Sequence, residues 1–432
     1  MTSVEIRKRF LDHFVRHNHL MIRSSSLVQE NDPTLLVVNS GMAPLKPYLT
    51  GEKQPPYPRL CNIQKCVRTN DIESVGDRHH LTFFEMMGNW SIGDYFKEEA
   101  VTLAWITIRD VFKFDTTRIY VTIYGGDEKF PSIPFDEDSR KIWTRFMSTD
   151  RIIPLGANSN FWGPAGETGP CGPCTEVFID RGEEYGCRKS SCGPGCECGR
   201  FLEIWNAGVF MQYYLREDKT LTELPLKCVD AGAGLDRFAV ILQGVDSVYE
   251  TDLLGSIVEV FASESGLQRN SRSIRIMADH IRCGAFMIAD GIYPGNTKRE
   301  YVLRRILRRV LLHAHLIGVK QETLISAVDV VIRHFAQYYP ELKANEEKIK
   351  VAISQEANSF ERVLKKGLRE FGKIASKTSG GISGGDAFKL YDTFGFPLEL
   401  TKELAQVQGL SVDEKRFSIL LEEQRRRSRV NE

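Results

Sequence analysis

The chain has 432 residues, 42% of them apolar and 26% charged, with 57 basic side chains balanced by 57 acidic ones. That composition belongs to an ordinary globular protein of about two or three domains, and no apolar run approaches the roughly 18–20 residues of a membrane span. The start, MTSVEIRKRFLDHF, lacks the apolar core of a secretory leader, and a net charge of zero leaves nucleic-acid contact to a local basic patch.

Residues 3–19 predict an amphipathic helix with Ile6, Phe10, Leu11, Phe14 and Val15 on one face. His13 and His17 form an HxxxH pair expected on its solvated side. Leu35–Val38, after Pro33, is a short buried-strand candidate. Residues 59–68 and 81–91 read as paired strands around the polar loop 69–80, and 94–113 as a long helix with Trp105 and Phe112 on its apolar face. Ile119–Tyr124 alternates as a strand, 125–139 is a loop, and 151–212 is loop-rich before the strand EIWNAGVFMQYYL. DAGAGLDRFAVILQG reads as a glycine turn running into a helix. From about 250 onward strand signals stop. Residues 252–265, 274–290, 300–317, 321–338, 342–375, 385–391 and 397–428 read as helices, broken at Pro294, Pro340, Gly380–Gly385 and Pro397. The expectation is an α+β chain: an antiparallel sheet flanked by helices over 1–248, then an all-helical domain over 249–432.

Several side chains carry chemistry. Arg68 opens the polar loop RTNDIESVGDR, and Arg237 closes DAGAGLDR. Two such arginines suit an ATP-splitting site, one neutralising an α-phosphate under attack, the other lying over adenine or reaching the γ-phosphate. Arg68 equally fits a hairpin arginine paired with Asp71 or Glu73. Phe83 and Phe84 point to opposite faces of a strand, so one can pack inward while the other stacks on a base. Asp230 fits either a ligand-binding carboxylate or a helix cap. Six of the ten cysteines fall between Cys171 and Cys198, which suits metal or thiol chemistry in a reducing cytoplasm rather than a secreted disulfide scaffold. The turn-rich spacing of Cys187, Cys192, Cys196 and Cys198 fits a structural tetrahedral Zn²⁺, within a Cys-rich insertion over about 171–200; reduced thiols in a loop are the alternative. Arg304, Arg305, Arg308 and Arg309 recur at a spacing that places guanidinium groups on one helix face, with Leu303, Ile306, Leu307, Val310 and Leu311 facing the core. Such a stripe fits RNA phosphates or a merely solvated surface.

Seven runs, in this order, carry a resemblance: NDPTLLVVNSGM, RTNDIESVG with HHLTFFEMMGNWSIGDYFK, NFWGPAGETGPCGP, EIWN, ADHIR, YVLRRILRR and LYDTFGFP. Almost the whole chain resembles the N-terminal half of the alanyl-tRNA synthetases, which are class II aminoacyl-tRNA synthetases. The resemblance implies activation of L-alanine with ATP and Mg²⁺, followed by transfer to alanine tRNA. It assigns Arg68, Phe84, Met86, Gly234 and Arg237 to ATP, with Phe84 and Arg237 on opposite faces of adenine. It assigns Met42, Trp162, Asn206, Val209, Asp230 and Gly232 to the amino acid, Asp230 binding its ammonium group. It assigns Asn296 and Asp392 to a G·U pair of the acceptor stem, and makes RNA the expected partner of the stripe of Arg304, Arg305 and Arg308 that the helical spacing shows. The family's editing and dimerising domains would lie beyond residue 432, which implies a monomer that mischarges serine or glycine without clearing the product. Three departures stand out. GNTKREY replaces the family's SNEGRGY, so that Lys298 and Glu300 stand for glycines. Ala233 and Asp236 stand for Met and Glu, and AGVFMQ after Asn206 is one residue long, which puts Val209 in doubt. Two other functions are compatible with these residues: a stand-alone paralogue serving a non-tRNA acceptor, and a non-catalytic tRNA-binding regulator.

Overall fold

The computed structural model describes residues 1–29, 35–70, 72–378 and 380–430. The chain forms two compact units, Met1–Glu259 and Val260–Glu432. In the first, the helices are α1 (Ser3–Arg16), α2 (Lys46–Leu49), α3 (Lys97–Ile106), α4 (Glu137–Trp143), α5 (Ala157–Asn160) and α6 (Leu235–Gln243). The strands are β1 (Leu20–Met21), β2 (Arg59–Val67), β3 (Phe83–Ile92), β4 (Ile119–Tyr124), β5 (Ile152–Leu155), β6 (Phe161–Trp162), β7 (Gly169–Asp180), β8 (Phe201–Leu215) and β9 (Leu221–Gly234). They build one sheet in the order β1-β2-β3-β9-β8-β7-β4-β5, with β6 on β7. Pairing is antiparallel except at the two ends, where β1 runs parallel to β2 and β5 to β4.

Helix α1 starts on a capping box between Thr2 and Glu5. It buries Ile6, Phe10 and Phe14. The rings of Phe10 and Phe14 meet Trp205 of β8 at centroid distances of 6.0 and 6.3 Å, and Phe238 of α6 meets it at 6.2 Å. Arg7 adds a buried ion pair to Glu85 of β3. Helices α1 and α6 therefore cover one face of the sheet, the face of Glu85 and Trp205. Alternation along each strand sends Phe84, Met86 and Asn206 to the other.

Several expectations are corrected. Val15 is 48% exposed. His13 is buried rather than solvated, and burial pushes its imidazole down to about 4. Leu35–Val38 is not a strand; it is held by single bonds, Val38 N–H to Leu27 O at 2.9 Å and Val67 N–H to Val38 O at 2.8 Å. The helix expected over 94–113 gives way after Ile106 to a π turn, Thr107–Val111, where the Thr107 hydroxyl donates to Leu103 O at 2.7 Å. The segment 151–212 holds the long strand β7. Its GPCGPC half lacks any alternation, and it is shaped instead by pairing with β8 across three register shifts. The DAGAG run is the end of strand β9, not a turn, and α6 follows directly with Gly234 at its N-cap. Asp230 is therefore no helix cap.

Helix α7 (Gly255–Ser265) contains the division between the units. The second unit is built from α8 (Arg272–Ala289), α9 (Lys298–Leu316), α10 (Gln321–Phe335), α11 (Pro340–Ala344), α12 (Glu346–Ala375), α13 (Gly384–Phe394), α14 (Leu398–Val407) and α15 (Glu414–Val430). The helix expected over 342–375 breaks at Asn345. The one expected over 397–428 breaks around Gly409, where Ser411–Val412 pairs in parallel with Gly381–Ile382. A polar network runs through the core of this unit. Asp279 and His280 of α8 pair at 2.9 Å, and His280 Nε2 meets Arg309 Nη1 at 3.0 Å. Arg309 Nε donates to Glu403 of α14 at 2.9 Å, and His313 meets the same carboxylate at 3.3 Å. Arg309 is thus buried and leaves the expected basic face; Leu311 is only half-buried.

Trp205, 1% exposed among Phe10, Phe14 and Phe238, anchors the first unit, and Trp205→Ala should cost about 3–5 kcal/mol in urea unfolding. In the second unit, burial holds His280 and His313 below the ordinary histidine value. Below about pH 6.5 the unfolded chain then takes up protons that the folded unit refuses, so stability present above that pH is lost on acidification. Hydrogen exchange of α8 and α9 peptides, corrected for intrinsic rate, should speed up between pH 7 and pH 5.

Candidate active site

Where β3 meets β9, a cavity of about 80 Å³ is lined by Arg68, His79, His80, Phe84, Met86, Glu203, Gly232, Gly234 and Arg237. Arg68 leaves the end of β2, its N–H donating to Thr82 O at 2.9 Å to close the hairpin. Its Nε donates to Asn39 O at 3.3 Å, and its guanidinium lies 4.8 Å from the centroid of the Phe84 ring. Arg237, on the first turn of α6, donates to the Glu203 side chain at 2.7 Å and to its carbonyl at 2.9 Å. Both arginines thus belong to one cavity. The guanidinium over Phe84 is that of Arg68, whereas Arg237 is engaged by Glu203. Asp71, one of the two partners weighed for Arg68, lies outside the described residues, as do residues 31–34 of the first resemblance run.

One step along the same strands, Asp230 is buried and accepts a hydrogen bond from Trp90 Nε1 at 2.7 Å. Burial pushes its carboxyl up to about 7, and the Trp90 bond opposes this. The Trp90 ring needs Gly88 beside it, because a Cβ there would stand 2.0 Å from a ring carbon. Across β8, Asn206 lies opposite Gly232 and Val209 opposite Asp230. Three residue steps on β8 thus span two on β9, a bulge that sets Val209 opposite Asp230. Met42 is fully buried, and the N–H of Gly41 before it donates to Met86 Sδ at 3.1 Å. Trp162, on β6, lines a second cavity that shares Arg68 as a wall.

Three further residues belong to this neighbourhood. Trp90 orients Asp230. Glu203 holds Arg237. Glu176 of β7 accepts from Asn206 Nδ2 at 3.3 Å, and its carboxyl is raised well above the usual range by burial and then by Glu203, with Arg237 opposing. Glu203 stands in the quoted run EIWN and Trp90 in GNWS, yet nothing local marks either one; the strand pairing decides their role.

Cys187, Cys192, Cys196 and Cys198 converge, all four sulfurs lying within 4.8 Å of one another. The closest pairs are Cys187–Cys196 at 3.8 Å and Cys192–Cys198 at 3.6 Å. Thiolates about 2.3 Å from a tetrahedral Zn²⁺ stand about 3.8 Å apart, so this donor set fits that ion. Cys171 and Cys174 are buried in β7 and take no part in the cluster.

In the helical unit, Asn296 and Asp392 are both exposed. Asn296 Oδ1 accepts from Arg304 and Asp392 from Gln424. Arg304 and Arg308 both reach buried Glu356 of α12, at 3.4 and 2.8 Å. Arg308 also lies over the Phe360 ring at 4.6 Å. The stripe is therefore partly neutralised. Lys298, standing where a glycine was expected, has φ of +47°, a conformation glycine adopts more easily.

With this geometry in view, residues 5–432 match the family described as tRNA synthetases class II (A), and the chain belongs to that family. Among curated relatives, the alanine–tRNA ligase of Dehalococcoides mccartyi is 43% identical over 435 residues, covering 99% of this chain and 49% of that protein. The alanine–tRNA ligases of Clostridioides difficile and Natranaerobius thermophilus are each 44% identical over 439 residues, covering 98% and 99% of this chain and 48% and 49% of theirs. The chain spans about half the length of the curated relatives it matches. Among the described residues, no helix is long and apolar enough to cross a membrane.

The Trp90–Asp230 bond is open to test. Trp90→Phe keeps most of the ring but removes the donor, so the Asp230 carboxyl should titrate above its present value of about 7. Stability should fall by about 1–3 kcal/mol. Carboxylate NMR titration and urea unfolding would measure the two effects.

Proposed function

We propose that the chain activates L-alanine with ATP and passes the alanyl group to the 3′ end of alanine tRNA. The observation that carries this reading is the pair of arginines in one cavity, beside a buried carboxylate on the neighbouring strand positions. Arg68 bridges the amino-acid carboxylate and the α-phosphate, bringing nucleophile and electrophile together. A carboxylate oxygen forms a bond to the α-phosphorus, the bond to the β-phosphate oxygen breaks, and pyrophosphate leaves with its electron pair. Phe84 and Arg237 hold adenine, the Arg68 guanidinium moving off the Phe84 ring as the base arrives. Mg²⁺, used with ATP in this class, offsets charge on the phosphates and would be held by Glu203, the half-exposed carboxylate of the cavity. Asp230 receives the α-ammonium group, whose charge draws the carboxyl into its ionised form. Trp162, Asn206, Val209 and Met42 close around the methyl side chain.

For the RNA, the family resemblance assigns Asn296 and Asp392 to the acceptor-stem G·U pair, and the exposure of both supports it. Arg305 is half-buried, and Arg304 and Arg308 would exchange Glu356 for phosphate. Their pairing with that carboxylate is also what favours a second reading, in which a small activated amino acid goes to a non-tRNA acceptor. A Zn²⁺ ion on Cys187, Cys192, Cys196 and Cys198 completes the set of bound groups, in a structural role.

Alanine-dependent ATP–pyrophosphate exchange tests activation without RNA. Exchange should be strongest with alanine, and Arg68→Ala should lower it about 10²–10³-fold, the cost of removing one donor to a developing charge. Asp230 binds ammonium as the carboxylate and sits near 7 in the free protein, so KM for alanine should rise as pH falls below that value. A folded, ATP-binding protein that shows no exchange with alanine, serine or glycine would overturn the proposal. Adding tRNA then separates the two acceptors.

A further inference from the structure

The four-cysteine loop is inserted between β7 and β8. Its root is pinned: Arg181 N–H donates to Arg200 O at 2.8 Å, and Arg200 grips Asp180 through bonds of 2.9 and 2.8 Å. From there it reaches the nucleotide cavity by two routes. Gly199, next to Cys198, lies so close to His79 that a Cβ would stand 3.0 Å from His79 Nε2, and His79 is part of the cavity wall. By the second route, the Tyr185 hydroxyl donates to Asp246. Arg181 donates to Asp246 O at 3.0 Å and stacks 4.0 Å over the Tyr185 ring. The segment that begins at Asp246 in turn holds the other side of the wall. Val248 N–H donates to Arg78 O, and the Tyr249 hydroxyl to His80 O, both at 3.2 Å.

We propose that a zinc ion held by Cys187, Cys192, Cys196 and Cys198 positions His79 and His80 in the wall of the nucleotide cavity, so that metal occupancy sets the affinity for ATP. This rests on the nucleotide reading of that cavity. Between Arg181 and Arg200 the regular structure is a single 3₁₀ turn, Glu183–Tyr185, and the loop is rich in Gly, Pro and charged residues. Such a segment buries too little apolar surface to order itself, and a metal cross-link supplies the missing constraint. Gly199 is one peptide bond from a ligand, so ordering the sulfurs places it against His79. Its φ of +91° keeps the position suited to glycine.

Elemental analysis of the full chain should find stoichiometric zinc. The zinc is then stripped with a chelator, the chelator is removed by gel filtration, and ATP binding with Mg²⁺ is measured by calorimetry. ATP should bind about tenfold more weakly to the stripped protein, the scale on which positioning contacts act, with the far-ultraviolet spectrum unchanged and affinity restored by added zinc. Unchanged ATP affinity after stripping overturns the proposal, as does a protein with no bound metal and four freely reacting thiols. If stripping unfolds the chain, Gly199→Ala decides instead. It keeps all four sulfurs but forces a Cβ against His79, and should weaken ATP to a similar extent with zinc still stoichiometric. Unchanged affinity in that variant overturns the proposal. A zinc-loaded protein that binds no ATP overturns both readings, whereas ATP binding indifferent to zinc overturns this one alone.

Discussion

Antiparallel pairing of β3 with β9 is the constraint on which the first unit depends. It sets Met86 opposite Gly234, Gly88 opposite Gly232 and Trp90 opposite Asp230, joining segments about 140 residues apart in the chain. Because side chains alternate, a slip of one residue would turn Met86 and Asp230 onto the face packed by α1 and α6. The buried cluster around Trp205 resists such a slip on one face, and the bond from Trp90 to Asp230 resists it on the other. The glycines at 88, 232 and 234 leave room for Trp90, Met86 and Arg237, so small residues and bulky ones are both part of the same register.

Burial acts in opposite directions on the acids of the two units. Asp230 has one neutral donor, Trp90, and its carboxyl rises to about 7. Glu176 is likewise raised well above the usual range, by burial first and then by the nearby Glu203 carboxylate. Glu403, also buried, is drawn well below the usual range by His313, Arg309 and Arg272. The difference lies in the partners. A carboxylate surrounded by cations is a finished internal bond, suited to holding helices together. One left short of positive charge is ready to receive it from a ligand.

The helical unit applies the same distinction to its arginines. Arg309 is consumed in the core by Glu403, and Arg304 and Arg308 are held by Glu356, while Asn296 and Asp392 stay at the surface with one side-chain partner each. Counting charges along α9 overstates what it offers to phosphate, since helical spacing alone does not reveal which acids other helices bring to meet it.

Much was legible in the order of residues. Spacing of Ile6, Phe10 and Phe14 determined α1, alternation determined β4, and the change of period after about 250 determined a mainly helical second unit, apart from the short pair at 381–382 and 411–412. The runs around Arg68, Trp162 and Asn206 carried the family resemblance, and the cysteine spacing carried the four-sulfur cluster. Local pattern was silent where structure comes from distant partners. Strand β7 is hidden by its Gly and Pro residues, DAGAG reads as a turn until β3 and β8 flank it, and Leu35–Val38 reads as a strand although its bonds to Leu27 and Val67 build no ladder among the described residues. Trp90, Glu176 and Glu203 acquire their roles only when three strands meet. Residue order thus determined which elements and chemical groups exist, because periodicity and motif are short-range properties. Tertiary structure alone decided which charges are spent in internal pairs and which remain for a ligand, because burial and electrostatic pairing depend on neighbours far along the chain.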